Sequence, residues 1–280
     1  MEIIRDKATM HRFAAARRGE GRRIGLVPTM GALHEGHLSL VRRARSDCDV
    51  VVVSIFVNPT QFAPGEDLDR YPRAFDADGA ACEERGVDVV FAPAAGEMYS
   101  PAAETSVVQE GLAMVLEGAS RPSHFRGVLT VVLKLFNIVA PDVAYFGRKD
   151  YQQTVVIRRM VADLDLPVEV AVLPTVREAD GLAMSSRNRS LTAEEREQAA
   201  CLYAALERCA ERLRDGQTDP ARLRAEMAAR IAEEPLARVD YVEIVKDGGL
   251  EPVEAVERGH VALVAARVGQ TRLIDNRILE

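Results

Sequence analysis

The chain has 280 residues, enough for one large or two ordinary domains, and 48% of them are hydrophobic, enough to fill real cores. A net charge of −7 and an aromatic content of 5% without tryptophan speak against a polyanion partner and a base-stacking platform, so no nucleic acid is expected and any phosphate site must be local. No charge-free segment reaches membrane-spanning length, the start Met1-Glu2-Ile3-Ile4-Arg5-Asp6-Lys7 lacks the apolar stretch of a secretory signal, and Cys48, Cys82, Cys201 and Cys209 lack metal-type spacing; a cytoplasmic protein with reduced, core-filling thiols and no membrane partner is expected.

Residues 1–23 read as a short strand and a basic helix. Ile24-Gly25-Leu26-Val27 is strand-like, and Leu38 to Arg45 carries apolar residues at helical spacing. Between them runs Pro28-Thr29-Met30-Gly31-Ala32-Leu33-His34-Glu35-Gly36-His37, a glycine-bearing turn with two histidines at a helix entrance. Unpaired N–H groups and the positive end of the helix dipole make such an entrance an anion site. Gly31 and Gly36 let a bulky ligand approach the backbone. His34 and His37, one helical turn apart, share a face and can donate N–H bonds to a triphosphate. The pair is weak evidence for a metal, since no third Cys or His lies nearby, and no metal held by protein side chains is expected. By itself it also fits an ordinary capped helix start.

Val50 to Val57 is a continuous apolar run of the kind found in a strand covered on both faces. It stops at Asn58-Pro59-Thr60-Gln61-Phe62, a proline-stiffened turn with two amides that suit a ligand bearing hydroxyls and a carboxylate. Asp67 to Gly86 is polar and partly helical. Its Asp76 and Asp78, like Asp88, can serve Mg²⁺, although solvated carboxylates are the simpler reading. Val87 to Phe91 is a strand, and Gly96 to Pro122 is irregular with a candidate strand at Thr105–Gln109. His124 and Arg126, which could face the site although a lone His or Arg in a loop is more often structural, precede a buried helix over Gly127 to Ala140, and Asp142 to Gly147 is another parallel-type strand. Phe146-Gly147-Arg148-Lys149-Asp150-Tyr151-Gln152-Gln153 then runs from strand into helix, where Lys149 can meet phosphate as a point charge and Asp150 can cap the helix or serve Mg²⁺ through water. The helix reaches Leu164 and a strand spans Val168–Leu173. Alternation of strand and helix predicts an α/β fold, a doubly wound parallel sheet of Rossmann type, over residues 1–174.

A smaller α+β domain is expected over residues 175–280. Met184-Ser185-Ser186-Arg187-Asn188 near its start offers two hydroxyls and a guanidinium, all phosphate binders. Thr192-Ala193-Glu194-Glu195 fits a capping box for a long charged helix to about Asp215, and Asp219-Pro220 starts a second. Strands at Val239–Val245, His260–Ala265 and Arg272–Ile278 close the chain.

The decapeptide resembles the H-x-G-H signature of the nucleotidyltransferase superfamily, and in its full form that of the pantothenate synthetases (pantoate–β-alanine ligases). The Asn-Pro-x-Gln-Phe, Gly-x-Lys-Asp-x-Gln-Gln and Met-Ser-Ser-Arg segments match that family in the same order. The resemblance implies an ATP-dependent ligase joining pantoate to β-alanine through an adenylate, with Mg²⁺, as a homodimer. It implies ATP contacts at Met30, Gly31, Ala32, Leu33, His34, Glu35, Gly36, His37, Gly147, Arg148, Lys149, Asp150, Val176, Met184, Ser185, Ser186 and Arg187, the Val176 contact being backbone to adenine. It implies pantoate contacts at Gln61 and Gln153, and assigns His34, His37, Lys149 and Arg187 to charge stabilisation. Arg148 stands where the family carries Glu or Gln, and Ser123 where it usually carries Gly, so the Arg148 side chain inherits no role. Two other readings stay open: an adenylyltransferase that stops at a nucleotide-linked product, and a nucleotide-binding regulator. Gln61 and Gln153 argue against the second, because a sensor needs no second-substrate pocket.

Overall fold

The computed structural model describes residues 1–63, 65–66 and 68–280; Asp67, the expected start of the polar helical stretch, lies outside the described residues. The chain divides into two compact units, one made of residues 1–147 and 152–174, the other of residues 148–151 and 175–280.

The first unit is a six-stranded parallel sheet. Its strands are β1 (Glu2–Ile4), β2 (Ile24–Thr29), β3 (Val50–Ile55), β4 (Val89–Phe91), β5 (Val143–Gly147) and β6 (Glu169–Leu173), in the spatial order β1-β4-β3-β2-β5-β6. Helices α1 (Lys7–Gly19), α2 (Glu35–Asp47), α3 (Phe75–Glu84), α4 (Ala95–Met98), α5 (Glu117–Ser120), α6 (His124–Val139) and α7 (Tyr151–Asp163) connect them. Successive side chains of a strand face opposite ways, and both faces are covered. Ile24, Leu26, Val50 and Val52 join one core with Met10 of α1 and Leu129 of α6. Val27, Val51 and Val53 join a second with Leu38 and Val41 of α2.

From β2 the chain adds β3 and β4 on one side, then returns to add β5 and β6 on the other. The direction of winding therefore reverses between β2 and β5, where open α/β sheets place their ligand crevice. The ladder between these strands is short: Gly25 pairs with Val143 and Leu26 with Ala144, whereas β2 pairs with β3 along its whole length. Pro28, without an N–H, sits beyond the last β2–β5 pair.

The second unit packs α8 (Ala193–Ala199), α9 (Cys201–Arg214) and α10 (Pro220–Ala232) with an antiparallel sheet β7 (Ala237–Val245), β8 (Val261–Val268) and β9 (Thr271–Ile278). Leu202, Leu206, Leu223, Met227, Val264 and Ala266 are among its buried apolar residues. The Thr192 capping box and the Asp219 cap before Pro220 form as their sequences predict.

Two expectations change. The segment Thr105–Gln109 is no strand, because its polar groups are used otherwise: Val107 donates its N–H to Thr130 Oγ1 and the Gln109 amide donates to the carbonyl of Val156. The long charged helix is broken at Ala200, a step that no glycine or proline announces. Helix α3 begins at Phe75, after the turn around Pro72.

Candidate active site

The turn after β2 is held by two side chains, Asp78 and Thr29. Gly31 has φ +83° and Ala32 φ +51°, a left-handed conformation that suits glycine and burdens alanine. Asp78 of α3, 3% exposed, accepts the N–H groups of Ala32 and Leu33 at 2.8 and 2.7 Å, and Thr29 Oγ1 accepts that of Gly31 at 3.1 Å. Asp78 is thus a buried clamp and not a solvated carboxylate, while Asp88 receives the guanidinium of Arg45 and the N–H of Val51, and Asp76 is exposed.

His34 is the N-cap of α2, and His37 completes a reciprocal capping box with it. Nδ1 of His34 accepts the N–H of Gly36 at 3.2 Å, and Nδ1 of His37 accepts the N–H of His34 at 3.4 Å. In a neutral ring whose Nδ1 accepts, the proton sits on Nε2. The two rings are in contact, their centroids 4.1 Å apart and their planes tilted by 35°. Met30, Glu35 and Gly36 are half-buried beside them, and Leu33 is buried.

Gln61 sits on a 3₁₀ turn, Pro59–Gln61, after β3. Its amide nitrogen approaches Met30 Sδ at 2.9 Å and its Oε1 accepts from Asn58 Nδ2 at 3.2 Å, which brings Gln61 and the histidine-bearing turn together. Asn58, 1% exposed, also donates to the carbonyl of Gly127 and accepts from Thr60 and Tyr99. Gly127 of α6 permits this approach: a Cβ there would lie 2.4 Å from the Thr60 carbonyl oxygen and 2.5 Å from the Gln61 nitrogen. The Gln61 carbonyl is met by His124 Nδ1 at 3.0 Å and by the Arg121 guanidinium at 3.3 Å. Burial, aided by the Arg121 charge, pushes His124 down to about 4, so at neutral pH it is an uncharged donor. Arg126 is exposed. Gln153 is half-buried on the first turn of α7, and Gly147 ends β5.

The remaining candidates lie in the second unit. Arg148, Lys149 and Asp150 form a 3₁₀ turn in which the Lys149 ammonium lies 3.3 Å from Asp150. Asn276 of β9 donates both amide hydrogens to it, to the carbonyls of Arg148 and Lys149, each at 2.9 Å. Val176 accepts the N–H of Met184 at 3.0 Å, which folds Val176 and the start of the serine loop into one hairpin. Ser185 caps the next 3₁₀ turn, Ser186–Ser190, by accepting the N–H of Arg187, and Asn188 ties that turn to Glu178 and Ala183.

The family model of pantoate-beta-alanine ligase matches residues 2–278. This chain belongs to the pantoate–β-alanine ligase family. A pantothenate synthetase of Moorella thermoacetica is 54% identical over 280 residues, spanning 100% of this chain and 99% of the relative, and one of Roseiflexus castenholzii is 57% identical over 273 residues, 98% of each. A crystal structure of the Thermus thermophilus pantothenate synthetase superposes with a TM-score of 0.94 at 47% identity, covering 100% and 99% of the two chains. The Francisella tularensis ligase, complexed with beta-gamma ATP and β-alanine, superposes with a TM-score of 0.82 at 36% identity, covering 99% and 97%. The family likeness makes the chain an enzyme, a ligase of pantothenate biosynthesis. Among the described residues no helix is long and apolar enough to cross a membrane.

Sequence reasoning left Asn276 without a role and read Asp78 only as a Mg²⁺ or solvated carboxylate, not as the clamp on the Ala32 and Leu33 N–H groups. Gly127, an isolated glycine inside an apolar helical pattern, carried the signal of a close packing contact.

Proposed function

We propose that the chain binds ATP on the turn and helix entrance after β2 and on the Lys149 and Ser185–Arg187 loops, and joins pantoate to β-alanine through a pantoyl adenylate. The observation that carries this reading is the histidine cap. Because each Nδ1 accepts a backbone N–H, each ring presents Nε2–H as its donor edge.

A free carboxylate reacts poorly with an amine because its oxygen leaves badly. Attack of the pantoate carboxylate oxygen on the α-phosphorus forms a carboxylate–phosphorus bond and breaks the bond to pyrophosphate. The β-alanine amine then attacks the acyl carbon and AMP departs. No covalent nucleophile is needed from the protein, whose work is alignment and stabilisation of developing charge. His34 and His37 donate to the phosphates, Lys149 and Arg187 supply positive charge, Ser185 and Ser186 supply hydroxyls, and Val176 offers backbone to adenine. Gln61 and Gln153 orient pantoate.

Mg²⁺ fits as the counter-ion of the nucleotide, with Asp150 beside Lys149 offering one carboxylate. Bound there, it would neutralise phosphate charge. Cytoplasmic location and a homodimeric state complete the proposal and rest on the family likeness.

The test is pyrophosphate and AMP release with pantoate alone, β-alanine alone, and both. Pyrophosphate with pantoate alone, and AMP only with both, is the expected pattern. His37→Ala slows pyrophosphate release about 10²–10³-fold, the usual loss for one transition-state donor. Unchanged release by that variant contradicts the assignment.

A further inference from the structure

Asn276 lies 127 residues from Lys149 in sequence, yet its amide spans the two carbonyls that define the Lys149 turn. The side chain is 3% exposed, and its Oδ1 meets no donor among the described residues, so the amide is held by its nitrogen alone. What holds the backbone beneath it is the neighbouring residue. Asp275, 3% exposed, accepts the Asn276 N–H at 2.7 Å and receives both arms of the Arg177 guanidinium, at 2.6 and 3.0 Å. Arg177 also donates to the carbonyls of Asn276 and Gly181, and lies 4.4 Å from the centre of the Tyr203 ring. Arg177 in turn follows Val176, whose carbonyl anchors Met184. Bidentate pairing fixes the plane of the carboxylate, the carboxylate fixes the peptide, and the peptide aims the amide.

We propose that Asn276 is a positioning residue for the reaction. Through its two hydrogen bonds it holds the Lys149 turn in the shape that presents the ammonium to phosphate. The Arg177–Asp275 pair keeps that amide in register with the hairpin bearing Val176 and Met184. This rests on the proposed role of Lys149. The physical logic is the sensitivity of charge stabilisation to place: an error of about 1 Å can cost 10²-fold in rate. A lysine on a 3₁₀ turn has a long stem, so its reach depends on the turn below it.

The experiment is a double-mutant cycle on pyrophosphate release from ATP and pantoate, using Asn276→Ala, Lys149→Ala and the pair, with urea melts alongside. Asn276→Ala is expected to lower kcat about 10- to 100-fold with pantoate KM within 2-fold of wild type. On the Lys149→Ala background the same change is expected to cost less than about 2-fold, because the group it acts through is gone. Asn276→Ser, whose hydroxyl serves one carbonyl at a time, is expected to fall between wild type and Ala. If Lys149→Ala keeps normal turnover, the reading of Lys149 itself is wrong. If Lys149→Ala is impaired but the two losses multiply, the site stands and the role of Asn276 is overturned. If Ala and Ser variants both unfold before assay, Asn276 belongs to stability and the proposal likewise falls.

Discussion

Gly127→Ala isolates the link between packing and substrate orientation. In a solvated helix, alanine for glycine gains about 1 kcal/mol. Here the new Cβ would lie 2.4 Å from the Thr60 carbonyl oxygen and 2.5 Å from the Gln61 nitrogen. An ordinary contact is roughly 3.4 Å, so the 3₁₀ turn must retreat by about 1 Å, an overpacking that costs about 1–3 kcal/mol. The retreat also strains the Asn58 bond to the Gly127 carbonyl and moves the Gln61 amide off Met30 Sδ. A displacement of that size costs about 10²-fold where orientation is the catalyst. Pyrophosphate release is therefore expected to show pantoate kcat/KM down about 10- to 100-fold, ATP KM within 2-fold, and a lower melting temperature. Wild-type pantoate kinetics in a folded variant, or an equal loss towards ATP, would refute the reasoning.

Gln61→Ala is expected to weaken pantoate use about 10-fold or more while ATP affinity stays within 2-fold, read by initial rates with each substrate varied. His124 supplies a pH signature. Its folded value, about 4, lies below the ordinary histidine value of 6.5, so its contribution to stability is intact above pH 6.5 and shrinks as the pH falls towards 4. The full loss, reached below pH 4, is about 3 kcal/mol, and the difference between wild-type and His124→Gln urea melts at pH 7 and 4.5 captures most of it. Burial raises the thiols of Cys82 to about 11 and of Cys201 and Cys209 to about 12, and Cys48 is buried too. A thiol reagent at pH 7.5 should label no cysteine quickly in native protein and all four in denaturant; fast native labelling would contradict that burial.

Local chemistry was legible in the chain. The apolar run at Val50 announced a strand covered on both faces, and two histidines after a glycine turn announced a capped helix entrance. Gln61 was legible only through family likeness, since Asn-Pro is ordinary turn chemistry. The supports of these groups were not legible, because each arrives from far away. Asp78 is 46 residues from the Ala32 N–H it accepts, and only the sheet brings α3 to that turn. Asn276 lies within the last strand of the second unit, 127 residues from the Lys149 whose carbonyl it meets. The break at Ala200 carries no residue that disfavours helix, so a helical pattern read straight through it.

Residues 148–151 are grouped with residues 175–280, while residues 152–174 return to the first unit. The polypeptide thus passes from one unit to the other three times, and one cut after Pro174 would not yield two self-sufficient pieces. A fragment ending there would keep Lys149 and Tyr151 but lose Asn276, Asp247 and Gly248, the groups that brace them. The loop assigned to grip the nucleotide acquires its shape only after the last strand has been made, so a truncated chain would carry the motif without the tool.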